Sequence, residues 1–220
     1  MDDKIKYIIL DFGKVLACSS TNHWFITPNF WNDINKETID EEQLLTNFKK
    51  YNYILDKKII TLEEEYEMFY EFYKLVFKEF NIEDSVIKKI SNDIVYRDDK
   101  YRFYDNVKEE LTLLKEKYKL ILLSDNWPCV FRIMKNYGID IFFDKMYVSS
   151  IYGEKKEDGL FFDYPIKEFN IKKGEAIFID DNELLLDVAI SKGLLVRRMD
   201  REYEVLTSKY KIIHDLNNII

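Results

Sequence analysis

Five polar residues of this sequence lie where short apolar runs end. They are Asp11, Ser124, Lys156 and the adjacent pair Asp180 and Asp181. Open α/β sheets bind ligands just beyond the carboxyl ends of their strands, so side chains at several strand ends can meet at one edge. Three carboxylates, one hydroxyl and one ammonium gathered there predict a site for Mg²⁺ and a phosphoryl group.

Each of these groups has a role in phosphoryl transfer. A carboxylate such as Asp11 can attack phosphorus and form an aspartyl-phosphate, which divides one difficult step into two easier ones. Asp11, Asp180 and Asp181 supply the oxygen ligands that Mg²⁺ prefers. Because these carboxylates repel one another and a phosphate dianion, the site needs the positive charge of the metal and of Lys156. Ser124 and the backbone amides after it offer donors to the phosphate oxygens.

The elements that must position these groups follow a repeating pattern. From about residue 100 to the end, apolar runs at residues 120–123, 146–148, 176–179 and 194–196 alternate with helical patterns. The runs are continuously apolar, which is typical of parallel strands covered on both faces. The fold class predicted is therefore α/β, with a Rossmann-like parallel sheet and helices on both faces.

A helical insert is expected between the first strand and the rest of the sheet. Thr61 and Glu64 have the spacing of a capping box, and apolar residues recur at helical spacing from Leu62 to Phe80. The aromatic residues of this stripe are expected to be helix core. We predict an α/β core domain of residues 1–17 and 99–220 and an inserted helical cap domain of residues 18–98.

Composition limits the kinds of partner. The chain has 220 residues, 47% of them hydrophobic, which is enough for one sizeable core and an insert. Its formal charge of −8 argues against nucleic acid or an anionic membrane as the main partner. The first ten residues carry acids and run into a strand, so they are not expected to be a signal peptide, and no apolar stretch approaches about 18 uncharged residues. Cys18 and Cys129 are expected to be free thiols, and a cytoplasmic location is expected. The oligomeric state stays open.

Four motifs surround the polar residues at the strand ends. They are Ile9-Leu10-Asp11-Phe12-Gly13-Lys14-Val15-Leu16, Leu122-Leu123-Ser124-Asp125-Asn126, Gly153-Glu154-Lys155-Lys156 and Phe178-Ile179-Asp180-Asp181-Asn182. These motifs resemble those of the haloacid dehalogenase-like superfamily of hydrolases. They occur in the order of that family, over nearly the whole chain, and the helical insert falls where one branch of the family has a helical cap.

The resemblance implies a metal site and a nucleophile. Asp11 is the implied nucleophile and a metal ligand, and the backbone carbonyl of Gly13 is a further ligand. Asp180 and Asp181 are the implied acids of the metal site.

The resemblance also implies a phosphate site. Ser124, Asp125 and Lys156 are the implied phosphate-binding residues. Lys156 is also an implied catalytic residue, together with Asp11. The spacing Gly-x-x-Lys favours Lys156, although the adjacent Lys155 leaves the register open by one residue.

Three positions depart from the family pattern. Most phosphatases of the family have a second Asp, a general acid and base, where this chain has Gly13. Glu157 stands where the lysine is usually followed by proline, and Val15 replaces a threonine. Gly13 can still supply a carbonyl ligand to the metal. Replacement of the second Asp by glycine therefore removes the proton donor but not the metal ligand.

The predicted function is that of a Mg²⁺-dependent phosphatase, a phosphoric monoester hydrolase that acts on a small phosphorylated metabolite under a cap that excludes water. Asn22, His23 and Trp24 follow the first loop and are candidates for substrate contact. Trp127-Pro128 is expected to shape the Ser124 loop and begin a helix. Sugar, nucleotide and organic-acid phosphates all remain possible substrates.

Three other functions are compatible with part of this set of residues. A phospho-receiver domain has its acid pair before the phosphorylated Asp, whereas here the pair comes last. A dehalogenase of the same family also lacks the second Asp but needs no metal, so retention of Asp180 and Asp181 argues against it. A non-catalytic binding protein on the same fold is motivated by Gly13 alone.

Overall fold

The computed structural model describes residues 4–219. Within that range no helix combines the length and the apolar composition that crossing a membrane requires. The strands are β1 (Tyr7–Leu10), β2 (Ala17–Ser19), β3 (Tyr101–Phe103), β4 (Lys119–Ser124), β5 (Lys145–Val148), β6 (Ala176–Asp180), β7 (Leu195–Met199) and β8 (Ile212–Ile213). The α-helices are α1 (Phe30–Asp33), α2 (Glu41–Tyr51), α3 (Leu62–Val76), α4 (Asp84–Tyr96), α5 (Val107–Lys115), α6 (Cys129–Asn136), α7 (Ser149–Tyr152), α8 (Leu160–Glu168) and α9 (Glu183–Ser191). Short 3₁₀ helices span Lys36–Thr38, Asn52–Asp56, Asp140–Phe142, Lys156–Asp158 and Leu216–Asn218.

Six strands form the main sheet in the order β5-β4-β1-β6-β7-β8, and every neighbouring pair is parallel. The predicted parallel α/β sheet is therefore confirmed. Leu10 of β1 is in register with Leu122 of β4 and Ile179 of β6. Because of this register, the residues that follow these three positions emerge together at one edge of the sheet.

Successive residues of the central strands pack on opposite faces of the sheet. Ile8 and Leu10 belong to a core shared with α5 and α6, whereas Ile9 belongs to a core shared with α8 and α9. Both faces are covered, which explains why the strands are apolar without alternation.

Helices α2, α3 and α4 form a third apolar core of their own, centred on aromatic residues such as Phe48, Phe72 and Tyr73. The predicted capping box is present, since the Thr61 side chain accepts the Glu64 N–H and the Glu64 carboxylate accepts the Thr61 N–H. The aromatic stripe of α3 is helix core, as predicted. The division of the chain at residues 17/18 and 98/99 stays a prediction.

A second, two-stranded sheet was not predicted. Antiparallel β2 and β3 pair Ala17 with Phe103 and Ser19 with Tyr101, where the chain enters and leaves the helical segment. Residues 17–19 are thus extended where the sequence analysis expected helices from residue 18 onward. Strands of three residues are too short to give the alternation of four to eight residues by which a strand is recognised.

A buried carboxylate connects α3 to α6. Oε2 of Glu65, which is fully buried, accepts the backbone N–H of Cys129 at 2.7 Å, at the start of α6. The ammonium of Lys100 donates to the Cys129 sulfur at 3.1 Å. Burial raises the pKa of the Cys129 thiol to about 12, and both cysteines are free and buried. Cys129 is therefore a packed thiol and not a nucleophile.

The contact of Glu65 with α6 predicts a stability effect. Glu65→Ala leaves the buried Cys129 N–H without an acceptor, and we expect a loss of about 1–3 kcal/mol in the free energy of unfolding. Glu65→Gln keeps an oxygen at the same place and should lose less than half as much. Urea denaturation of both variants is the measurement, and equal losses would show that the hydrogen bond contributes little.

Candidate active site

Three carboxylates meet at the edge of the sheet where β1 and β6 end. Asp11 directly follows β1, Asp180 is the last residue of β6, and Asp181 follows it. One oxygen of each lies within 4.8 Å of the others. Asp180 is only 1% exposed, so its charge has little access to water. The register of the sheet thus brings together carboxylates that are about 170 residues apart in the chain.

The ammonium of Lys156 lies between two of these carboxylates. Its Nζ is 2.7 Å from Oδ1 of Asp11 and 2.7 Å from Oδ2 of Asp180, and its side chain is 2% exposed. Burial disfavours the charged lysine, but Coulomb attraction from Asp11 and Asp180 outweighs this cost and raises the pKa of Lys156. Lys156 therefore stays charged at neutral pH.

One ammonium does not balance three carboxylates. Burial raises the pKa of Asp180 to about 7, against the attraction of Lys156. Burial, and then repulsion from Asp11, also raises the pKa of Asp181. Among residues 4–219, the other cation within 4 Å of these carboxylates is Lys14, 3.9 Å from Asp181 and half exposed. Added positive charge would therefore stabilise the ionised cluster.

The donor set fits a hard divalent cation. Asp11, Asp180 and Asp181 offer oxygen atoms and no nitrogen or sulfur, which suits Mg²⁺ and not Zn²⁺. Gly13, whose carbonyl the family resemblance adds to this set, lines the same cavity. These four residues would hold the cation.

The structure also separates the two candidate lysines. Lys156 enters the carboxylate cluster, whereas Lys155 forms an ion pair with Asp56 of a 3₁₀ helix. The Asp125 side chain accepts the backbone N–H of Lys156 at 3.2 Å. Burial raises the pKa of the Asp125 carboxyl. The contact fixes the lysine segment, and the assignment of Asp125 to the phosphate site stays a prediction.

A cavity of about 320 Å³ opens over the cluster. Every predicted catalytic, phosphate-binding and metal-binding residue lines it. Of the three candidate substrate contacts, only Trp24 does. His23 packs its ring 5.0 Å from that of Phe48 and accepts the backbone N–H of Phe25, and Asn22 occupies a turn with φ of +62°.

Several lining residues were missed by the sequence analysis. Trp127 was expected only to shape its loop; Pro128 does precede α6, but Trp127 also lines the cavity. Some missed residues, among them Phe25 beside Trp24, adjoin predicted ones, which is a usable signal, whereas Tyr101 and Leu185 carry no local signal. The missed residues are Phe12, Lys14, Phe25, Tyr101, Asn126, Trp127, Asn182 and Leu185.

The loop after β1 is held by backbone contacts. The Phe12 carbonyl accepts the N–H groups of Leu16 and Ala17. Arg201, in a buried ion pair with Glu110, donates from Nε to the Val15 carbonyl at 3.1 Å. The loop is therefore fixed at Val15 through its backbone carbonyl. Valine can thus replace the threonine of the family pattern without loss of this support.

The indole of Trp24 covers Gly13. A Cβ atom placed on Gly13 would lie 3.4 Å from Cη2 and Cζ2 of Trp24 and 3.6 Å from Oδ2 of Asp11. The space into which a side chain at position 13 would extend is thus bordered by an aromatic ring. No carboxylic acid is available there to protonate a leaving group.

Comparison with known proteins places the chain in a family. Residues 5–184 match the model of the haloacid dehalogenase-like hydrolases. The chain therefore belongs to the haloacid dehalogenase-like hydrolase family, as the four motifs indicated. No curated protein matches the sequence.

Solved structures share the fold. The putative HAD-hydrolase YfnB from Bacillus subtilis, bound to magnesium, has a TM-score of 0.69 at 12% identity, covering 98% of this chain and 96% of that one. The HAD family enzyme bt-2542 from Bacteroides thetaiotaomicron, in complex with magnesium and inorganic phosphate, has a TM-score of 0.64 at 19% sequence identity. The match covers 92% of this chain and 98% of that one.

A dehalogenase is equally similar in fold. The L-2-haloacid dehalogenase from Xanthobacter autotrophicus, with chloropropionic acid covalently bound, gives a TM-score of 0.66 at 12% identity, covering 97% of this chain and 96% of that one. At these identities the likeness concerns the fold, and the reaction must be inferred from the site.

The unbalanced carboxylates predict direct Mg²⁺ binding. Titration of the protein with Mg²⁺ should raise its melting temperature, because a ligand that binds only the folded state stabilises it. Asp181→Asn should weaken Mg²⁺ affinity at least about tenfold. Asp187→Asn, on the exposed face of α9 and paired with Lys209, is the matched control and should leave the affinity unchanged. A melting temperature insensitive to Mg²⁺ would contradict the metal assignment.

Proposed function

We propose that this hydrolase is a Mg²⁺-dependent phosphatase that acts on a small phosphorylated metabolite through an aspartyl-phosphate at Asp11. The observation that carries the proposal is the convergence of three carboxylate oxygens within 4.8 Å around the buried Lys156 ammonium. A phosphate dianion can approach Asp11 only if further positive charge offsets this cluster. Mg²⁺ would supply that charge and stabilise the charge that develops on the phosphoryl oxygens.

The same observation argues against a metal-independent dehalogenase. A haloacid brings one negative charge and loses a halide, which needs no proton and no metal. Such a reaction needs no cation to balance Asp181, whose pKa is raised by burial beside Asp11. The magnesium and phosphate found with bt-2542 support a phosphatase, whereas the covalent complex of the Xanthobacter enzyme supports the alternative.

The first chemical step follows from the contacts of Asp11. Lys156 holds Oδ1 of Asp11, which leaves Oδ2 to attack phosphorus. A bond forms between this oxygen and phosphorus, the bond to the ester oxygen breaks, and the ester oxygen leaves with the electron pair as an alkoxide or phenoxide, which takes a proton from solvent. The Ser124 hydroxyl and the Lys156 ammonium stabilise the phosphoryl oxygens during transfer.

The second step returns Asp11 to its starting state. Water attacks the phosphorus of the aspartyl-phosphate, the bond to the Asp11 oxygen breaks, and inorganic phosphate leaves. The proton lost by the water passes to solvent or to the departing phosphate, because Gly13 offers no base.

Replacement of the nucleophile tests the proposal. Asp11→Asn is nearly isosteric but removes the attacking charge, so hydrolysis of p-nitrophenyl phosphate should fall to background. Phosphate release by the wild type should stop with chelator and return with Mg²⁺. Asp187→Asn serves as the control and should retain full turnover.

Two results would contradict this function. Substantial turnover by purified Asp11→Asn protein would exclude Asp11 as the nucleophile. Halide release from a 2-haloacid in the presence of chelator, without phosphatase activity, would establish the dehalogenase instead.

The absence of an acid at Gly13 predicts a dependence on the leaving group. General acid catalysis is typically worth about 10²–10⁴ in rate, and esters of acidic alcohols need it least. We expect log kcat/KM to fall steeply as the pKa of the leaving alcohol rises, measured over monoesters of matched size with chemistry rate-limiting. A flat dependence would reveal a proton donor elsewhere in the site.

A further inference from the structure

One wall of the active-site cavity is aromatic. Trp24, Phe25, Tyr101 and Trp127 line the same space as Asp11. They come from the loop after β2, from β3 and from the loop after β4, so the wall is assembled from three separate segments. The phosphoryl chemistry described above uses none of these rings.

Three of the rings are held in fixed positions. The Trp127 indole N–H donates to the Leu55 carbonyl at 3.3 Å, and its ring packs edge-on against Phe69 at 5.0 Å. Tyr101 is buried and packs edge-on against Phe12 at 5.0 Å. Phe25 packs against the core of α2 and α3. The wall is therefore preformed, which lowers the entropic cost of binding a ligand.

Trp24 differs from these three because much of its ring is exposed. The residue is 39% exposed, and its ring contacts Tyr101 edge-on at 5.8 Å. Its Cη2 and Cζ2 atoms border Gly13, beside Oδ2 of Asp11. The exposed part of this indole, next to the nucleophile, is the surface that a leaving group would cover.

The amide and ammonium side chains that line the cavity outside the catalytic cluster are Asn126, Asn182 and Lys14. The side-chain oxygen of Asn126 accepts the Trp127 N–H, and that of Asn182 accepts the Leu184 N–H. Lys14, 3.9 Å from Asp181, has no acceptor atom. A sugar with several hydroxyls to donate would therefore find few acceptors among these side chains.

We propose, on the basis of the phosphatase function above, that the substrate is a monophosphate ester of a planar aromatic alcohol, an aryl or arylmethyl phosphate, whose ring stacks on Trp24. A cavity of about 320 Å³ holds one ring system and a phosphoryl group. Ring-to-ring contacts add about two- to tenfold in affinity beyond burial of the same apolar area.

A matched pair of esters tests the ring directly. Benzyl phosphate and cyclohexylmethyl phosphate have the same number of heavy atoms, and their alcohols have similar pKa values, so the absence of an acid at Gly13 affects both alike. We expect wild-type kcat/KM to favour benzyl phosphate roughly three- to tenfold. Trp24→Leu should bring the ratio close to one, and Trp24→Phe should restore most of it.

Trp31→Leu is the control, because Trp31 packs against Phe30 outside the cavity wall and the substitution is the same. This variant should keep the wild-type ratio. An equal kcat/KM for the two esters in the wild type, or a preference that persists in Trp24→Leu, would overturn the proposal.

Binding of non-hydrolysable analogues separates this inference from the phosphatase function. Calorimetry with benzylphosphonate and cyclohexylmethylphosphonate, in the presence of Mg²⁺, should show the same preference and the same loss in Trp24→Leu. Preferential binding without hydrolysis of any ester would support the aromatic subsite and contradict the phosphatase. Hydrolysis of esters without any aromatic preference would contradict the subsite alone.

Discussion

The buried ammonium of Lys156 is the contact on which the active site depends. It holds one oxygen each of Asp11 and Asp180 at 2.7 Å, and these carboxylates come from neighbouring strands at the centre of the sheet. Without it, carboxylates this close and this buried would take up protons or move apart. One ammonium cannot balance three carboxylates, so the cluster keeps an excess of negative charge that a metal cation would offset. One contact thus supports both the fold of the site and its proposed chemistry.

The segment that carries Lys156 is itself fixed from two sides. Asp125, after β4, accepts the backbone N–H of Lys156, and Lys155 pairs with Asp56 from the helical insert. The lysine position therefore couples the sheet to the insert. Glu65, which meets the start of α6 from α3, forms a second such connection. The ion pair of Lys155 with Asp56 is partly exposed, whereas the contact of Glu65 with Cys129 is buried. The insert is therefore attached to the rest of the chain by specific polar groups as well as by apolar packing.

The site of the proposed phosphatase has no carboxylic acid at position 13 and has an aromatic wall, and the two features are related. Gly13 leaves room beside the nucleophile, and the Trp24 indole borders that room. The ring of an aromatic alcohol can cover the exposed part of the indole. Among such alcohols, a phenol also suits the missing acid, because an aryl oxygen leaves without strong acid help. The preformed aromatic wall and the fixed loop at Val15 favour recognition of the substrate by its shape and by ring stacking, and not by hydrogen bonds.

The sequence alone determined the sheet, the helical insert and the chemical groups of the site, because continuous apolar runs, the capping box at Thr61 and polar residues at strand ends are local patterns. It also indicated the family. Only the tertiary structure decided between Lys155 and Lys156, gave Asp125 its contact with the lysine backbone, and brought Tyr101 and Trp127 to the cavity. These outcomes depend on strand register and on contacts between distant segments, and the three-residue strands β2 and β3 are too short to leave a pattern. The sequence around a residue indicates the chemistry of its side chain, whereas the packing of the chain determines which groups that side chain contacts.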